Sequence, residues 1–263
     1  MKTALTIAGS DSSGGAGIQA DLKTFQAHGV FGMSAVTAVT VQNTQKVYDV
    51  QEVAPGIVYE QIVRVFEDIP VDAVKIGMVS GVALIEAIAR ALETVKRPPL
   101  VLDPVMISKS GYSLLKDEAR ETLVRKLFPL ADVITPNVYE AELLTGGRIE
   151  NLEDMKRAAV HLADMGGGRV VVKGGHLPGE AATDIIFDGR RSQDLTAPRI
   201  ASRNTHGTGC TFSSALAANL ALGRDFFAAA AAAKEYITRA IQQAPDIGHG
   251  PGPLNHMVAP GGQ

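Results

Sequence analysis

The sequence predicts an α/β fold: a central, mostly parallel sheet with helices on both faces. Three observations carry this expectation. Apolar runs of strand length alternate along the chain with amphipathic stretches of helical spacing. The runs are near-continuous in apolar residues, as in strands buried on both faces. Glycine or polar residues follow these runs, as expected where a parallel sheet delivers ligand groups to the carboxyl ends of its strands.

Strands are predicted at residues 4–8, 35–41, 73–76, 100–102, 133–134 and 169–172. Between them, Ile18, Leu22 and Phe25 repeat at helical spacing, as do Val82, Ile85, Ile88 and Ala89, and later Met155, Ala158, Ala159 and Leu162. Asn151 ahead of Glu153 and Asp154 marks a helix start, because early acidic groups suit the positive end of the helix dipole. Residues 183–187 and 192–195, joined through Gly189-Arg190-Arg191, read as a small β-hairpin. The stretch from Asn204 to Thr211 is small, polar and flexible, and runs into an Ala/Leu-rich segment that ends before Gly223. Its glycines open a helix, and Gly223 is a C-terminal stop.

Composition narrows the function. The chain has 263 residues and is 46% hydrophobic, enough for a large core in one domain spanning 1–263. A net charge of −3, no Trp and no basic stripe argue against a dedicated nucleic-acid binder. One cysteine excludes an intramolecular disulfide framework and a Cys-rich zinc site. The first apolar run is too short for a signal peptide and soon meets Asp11. The Ala-rich stretch 213–233 is broken by Asn219, Arg224 and Asp225, so no membrane span is expected. The expected location is the cytoplasm.

Six strand ends carry the candidate chemistry. The Gly207-Thr208-Gly209-Cys210 turn opens a helix, whose first N–H groups and dipole suit an anion. Cys210 is either a catalytic group in that turn or a gap-filler in a capped helix. A helix start lowers a thiol pKa, which a base role for Cys210 needs. Gly15-x-Gly17-x-x-Ala20 matches a loose dinucleotide fingerprint, which keeps a nicotinamide-dependent oxidoreductase as an alternative, although the next strand ends in Gln42 where that reading wants an acid. Asp21 and Gln42 together suit a neutral heterocycle with amine and ring nitrogens. Asn137 and Glu140, three positions apart at a helix opening, are either ordinary capping residues or, with Asp103, an oxygen-rich Mg²⁺ site. Lys173 at another strand end could neutralise a transferring phosphoryl group.

Taken together, the segment Gly14 to Lys23, Gln42-Asn43-Thr44, Lys75-Ile76-Gly77-Met78, Asp103-Pro104-Val105-Met106, Thr135-Pro136-Asn137 with Glu140, Lys173-Gly174-Gly175-His176 and the 204–210 turn resemble the hydroxymethylpyrimidine/phosphomethylpyrimidine kinases of thiamin biosynthesis, in the ribokinase-like superfamily. The likeness runs in order from about Leu5 to His256. It implies a three-layer ribokinase-like fold. It also implies an ATP- and Mg²⁺-dependent enzyme that phosphorylates 4-amino-5-hydroxymethyl-2-methylpyrimidine and then its monophosphate. Residue by residue, it implies an anion hole at Gly207, Thr208, Gly209 and Cys210, a pyrimidine pocket at Ala16, Asp21, Gln42 and Val105, and a Mg²⁺/phosphate motif at Asn137 and Glu140. Lys173 and Lys234 resemble its nucleotide-phosphate lysines. Ser12 stands where many such relatives carry a proline. The resemblance also implies a homodimer, with pyridoxine/pyridoxal kinases as the nearest rival in the same superfamily.

Overall fold

The computed structural model describes residues 1–106, 115 and 117–261. Residues 107–114, 116, 262 and 263 of the expected 1–263 domain lie outside the described residues. The described strands are β1 (Thr3–Ser10), β2 (Phe31–Gln42), β3 (Val47–Glu52), β4 (Ala73–Ile76), β5 (Leu100–Leu102), β6 (Val133–Ile134), β7 (Arg169–Val172), β8 (Ala181–Phe187) and β9 (Ser192–Pro198). They form one sheet in the order β3-β2-β1-β4-β5-β6-β7-β8-β9. Neighbours from β2 to β7 are parallel; β3, β8 and β9 join antiparallel.

β4, β5, β6 and β7 occupy the predicted spans, because short apolar runs buried on both faces leave little freedom in where a strand ends. β1 and β2 extend past their predicted ends. The hairpin appears as β8 and β9. β3 was not expected: its Tyr-Asp-Val-Gln-Glu tail is exposed or half-buried, and Val47 alone is buried. It is an edge strand supported mainly by its pairing with β2.

Successive residues in the central strands enter opposite cores. Leu5, Ile7, Val74, Ile76, Leu100, Leu102, Ile134, Val170 and Val172 face one core; Ala4, Ala73, Val101, Val133 and Val171 face the other. A one-residue slip in any of these strands would exchange its two faces. Helices α2 (Pro55–Asp68), α3 (Val82–Glu93), α4 (Asp117–Lys126), α5 (Val138–Thr145) and α6 (Leu152–Leu162) contribute side chains to the first core. Helices α1 (Gly17–Ala27), α7 (Thr208–Ala221) and α8 (Phe226–Gln242) cover the second. The expected layers, sheet and two helical faces, are therefore present. α7 buries residues all round its circumference, and its many alanines let it lie close to the sheet, α1 and α8. The stop signal at its end works as expected: Gly223 has φ +87° just past the helix. Asn151 likewise caps α6, accepting from Asp154 N–H at 3.0 Å. Among the described residues, no helix is long and apolar enough to cross a membrane.

Candidate active site

The loops leaving β1, β5, β6 and β7 and the start of α7 line one cleft of about 640 Å³. The first loop is organised by Asp11. One of its oxygens accepts from Ser13 N–H and Ser13 Oγ at 2.9 and 2.7 Å. The other accepts from Gly15 and Ala16 N–H at 3.1 and 2.8 Å, and from His206 Nε2 at 2.7 Å. Burial raises the Asp11 pKa, but the His206 and Ser13 hydrogen bonds prevail and hold it near 2. Ser12, where relatives are expected to carry proline, pins the same loop to the end of β2. Its hydroxyl donates to Gln42 C=O at 2.8 Å and accepts from Gln42 N–H at 3.0 Å. A hydrogen-bonded side chain thus supplies the constraint that a proline ring would.

α7 begins as its sequence suggests. Gly207 is its N-cap with φ +82°, and a Cβ there would lie 1.8 Å from the Gly15 carbonyl oxygen. Glycine is required on both counts. The first loop and the α7 turn therefore touch backbone to backbone. Thr208 Oγ1 donates to Thr205 C=O at 2.6 Å. Gly209 lies against the next pair: a Cβ there would be 3.2 Å from Lys173 Nζ and 3.4 Å from Asp103 Oδ2. Asp103 is 1% exposed and accepts from Lys173 at 2.8 Å and from Thr135 Oγ1 at 3.1 Å, with Ser213 Oγ at 3.4 Å. Lys173 loses hydration by burial, yet the Asp103 and Glu140 carboxylates hold its pKa above the usual lysine value.

Asn137 and Glu140 form a reciprocal capping box at the start of α5, with Glu140 N–H to Asn137 Oδ1 at 3.0 Å and Asn137 N–H to Glu140 Oε2 at 2.8 Å. The capping alternative is thus realised, and both residues also line the cleft. Burial pushes the Glu140 carboxyl up to about 7, with Lys173 pulling it down and Asp103 pushing it further up. Two buried carboxylates facing one lysine form a donor set that accommodates a further cation. Among the described residues, no three His, Cys, Asp or Glu side chains group as a metal cage. Mg²⁺ commonly takes one or two carboxylates and completes its octahedron with water and phosphate oxygens. Asp103, Asn137 and Glu140 therefore fit the ion, provided the phosphates come with it.

Two expectations, on Asp21 and Cys210, need correction. Asp21 does not line the cleft. It is fully buried beneath it, ion-paired to Lys75 at 2.9 Å through both oxygens, and accepts from Thr6 Oγ1 at 2.6 Å and Ser214 Oγ at 2.7 Å. A carboxylate so fully engaged has no capacity left for a ligand amine. Ala16 lines the cleft as expected, with its N–H donating to Asp11. Cys210 lines the cleft, but its pKa is not lowered: burial pushes the thiol up to about 11, outweighing the nearby Lys75 ammonium and the Gly17 N–H that favour the thiolate. Lys234 lines the cleft and is paired to Asp184 at 2.8 Å; Asp184 also accepts from Gly174 N–H at 2.9 Å, so the pair braces the glycine loop after β7. Gln42 and Val105 do line the cleft as expected.

The dinucleotide alternative also fails on geometry, since the Gly15 and Ala16 N–H groups that would cradle a pyrophosphate are held by Asp11. Sequence reasoning missed Asp11, Lys75, Asp184 and Arg199. Arg199 hydrogen-bonds the carbonyls of Gly175, Leu177, Gly179 and Ala181 and so fastens the loop between β7 and β8. Only Lys75 carried a readable signal: a lone charge inside the apolar strand Ala73–Ile76 must have a buried partner.

An anion-binding helix start facing a Lys–Asp pair, at the carboxyl edge of a doubly covered parallel sheet, defines a phosphotransferase-type site on a ribokinase-like α/β fold. Comparison with known proteins narrows the class. The phosphomethylpyrimidine kinase profile matches residues 11–255, and the chain belongs to that family. It is 49% identical over 256 residues to a hydroxymethylpyrimidine/phosphomethylpyrimidine kinase of Bacillus subtilis, covering 97% of this chain and 94% of that one. It is 50% identical to a thiamine biosynthesis bifunctional protein of Geobacter sulfurreducens, covering 97% of this chain and about half (52%) of that relative. Among solved structures, an ADP complex of Bacillus subtilis pyridoxal kinase superposes with a TM-score of 0.91 at 41% identity, covering 97% of each chain. The phosphomethylpyrimidine kinase of Clostridium difficile superposes with 0.82 at 50% identity, covering 92% of this chain and all (100%) of that one.

Proposed function

We propose that this protein transfers the γ-phosphoryl group of ATP to the hydroxymethyl oxygen of 4-amino-5-hydroxymethyl-2-methylpyrimidine, and then to the resulting monophosphate. The observation that carries this reading is the meeting of the α7 start with the Asp103–Lys173 pair at Gly209, in a cleft that also holds Gln42. Family membership supplies the substrate class.

In this reading the pyrimidine lies between Gln42, Ala16 and Val105. The Gln42 side chain offers both a donor and an acceptor to an aminopyrimidine edge. The nucleotide phosphates lie toward Asn137, Lys173 and Thr208, with Lys234 holding the loop that borders them. The N–H groups of Gly209 and Cys210 receive the charge that gathers on the transferring group, at no cost of reorganisation. Lys173 shares that charge. Mg²⁺, bound through Glu140 and Asn137 with Asp103 close by, would neutralise phosphate oxygens when present.

Cys210, a neutral thiol at rest, shapes the anion hole; a base role in the first transfer requires the Lys75 ammonium and the Gly17 N–H to outweigh burial and the nearby carboxylates. The second transfer needs no base, because its nucleophile is already an anionic phosphate. We also propose a homodimer. Val39, Val41 and Tyr48 are each at least half exposed along the β2–β3 ribbon, an apolar surface that a second copy would cover. Light scattering on a sizing column tests this, and a monomer at micromolar concentration contradicts it.

For the activity itself, isothermal titration of a Gln42→Ala variant is the test. Pyrimidine affinity should fall at least tenfold and ATP affinity less than twofold. A larger loss for ATP would place the pyrimidine elsewhere.

A further inference from the structure

His206 belongs to the α7 turn, and the reaction as described leaves its side chain without a role. Its ring packs directly on the first loop: a Cβ at Gly15 would lie 2.5 Å from His206 Cδ2. Its Nε2 is 2.7 Å from Asp11 Oδ2, the same oxygen that accepts from Gly15 and Ala16 N–H. Its backbone is tied to the C-terminal segment, with His206 N–H donating to Gly252 C=O at 3.1 Å. Both side chains are largely buried, at 11% and 4% side-chain exposure for His206 and Asp11.

One carboxylate oxygen therefore joins two loops that also touch where Gly207 abuts the Gly15 carbonyl and where Cys210 meets the Gly17 N–H. A bare backbone contact resists compression but not sliding, whereas a charge-assisted hydrogen bond fixes direction. The bond also settles a proton. A carboxylate only accepts, so His206 Nε2 carries hydrogen and has no lone pair for the Gln42 amide nitrogen 3.4 Å away. The Gln42 NH₂ group is left available to a ligand.

We propose that His206 is a positioning residue: through Asp11 it fixes the substrate-side loop and Gln42 in register with the start of α7. This rests on the kinase reading above. A displacement of about 1 Å between nucleophile and anion hole is enough to slow transfer on the order of 100-fold.

The test is steady-state kinetics with the pyrimidine alcohol and ATP on wild type, His206→Leu, His206→Gln and Asp11→Asn. His206→Gln can place its amide N–H near the Nε2 position; His206→Leu cannot donate. The expected result is a loss of kcat of at least tenfold in His206→Leu, with KM for ATP within twofold and recovery to within threefold of wild type in His206→Gln. Adding His206→Leu to Asp11→Asn should cost less than threefold more, since the two act through one bond. Should His206→Leu fail to fold, His206→Asn replaces it: its shorter amide falls short of Asp11, so it should be slow where Gln is fast. Equal rates for the donating and non-donating variants, or additive losses in the double variant, overturn the proposal. A wild-type protein inactive on the alcohol overturns the kinase reading and this inference together.

Discussion

Replacing Lys75 by methionine perturbs the buried ion pair beneath the cleft most sharply. Met keeps the length and apolar stem of the side chain but removes the ammonium. Asp21 then stays fully buried with only Thr6 and Ser214 as donors. Breaking a buried pair from one side costs about 3–5 kcal/mol, because the remaining charge has neither water nor partner. At about 2–4 °C per kcal/mol for a chain of this size, the melting temperature should fall by about 6–20 °C. Neutralising the orphan in Lys75→Met/Asp21→Asn should recover at least half of that loss. The Lys75 pKa is raised because the Asp21 attraction prevails over burial. The pair's contribution is thus fully present below the ordinary lysine value near 10.4 and is lost as pH rises through the higher folded value. The deficit measured by circular dichroism should therefore not shrink as pH rises from about 8 to 9. A single variant melting within about 2 °C of wild type, or a double variant as unstable as the single, would show that the Lys75–Asp21 pair does not carry this stability.

Other positions give independent checks. Gly207→Ala adds left-handed strain of about 1–2 kcal/mol to a clash with the Gly15 carbonyl, so activity should drop beyond tenfold while most of the fold survives; wild-type rates would contradict the backbone-to-backbone contact. Cys210→Ala should slow the first phosphorylation more than the second, and equal losses argue for a purely structural thiol. In the unliganded protein, alkylation of Cys210 should keep accelerating toward about pH 11, and a plateau near neutrality would contradict the burial argument. His256 is buried against Thr211, and burial depresses its pKa to about 4. Between its ordinary value near 6.5 and pH 4 the unfolded chain takes up the proton and stability falls, by about 2 kcal/mol at pH 5. A His256→Gln variant should lose that much less than wild type between pH 7.5 and 5; parallel losses would exclude the assignment.

The sheet was legible because its strands are short apolar runs with one buried answer, and the α7 start because glycines at a helix opening mean close backbone approach. Gln42, Asp103, Asn137 and Lys173 were legible as polar residues at strand ends. Asp21 was misplaced for a physical reason: a carboxylate beside a glycine loop looks the same in sequence whether it points into the cleft or beneath it. What decided the matter was Lys75, distant in sequence and adjacent in the sheet. Cys210 carried the same ambiguity. A helix start favours the thiolate and burial opposes it, and only packing tells which prevails. Asp11 and Arg199 gave no signal, because their work is to gather backbone groups of loops whose shapes the sequence does not state.

The central claim is phosphoryl transfer to a pyrimidine alcohol in the cleft at the start of α7. A coupled assay that follows ADP release, with Mg²⁺ and with 4-amino-5-hydroxymethyl-2-methylpyrimidine or its monophosphate, tests it most directly, with pyridoxal in a parallel reaction. Both pyrimidines should turn over at a higher kcat/KM than pyridoxal. ADP release that no pyrimidine stimulates, or a clear preference for pyridoxal, would contradict it.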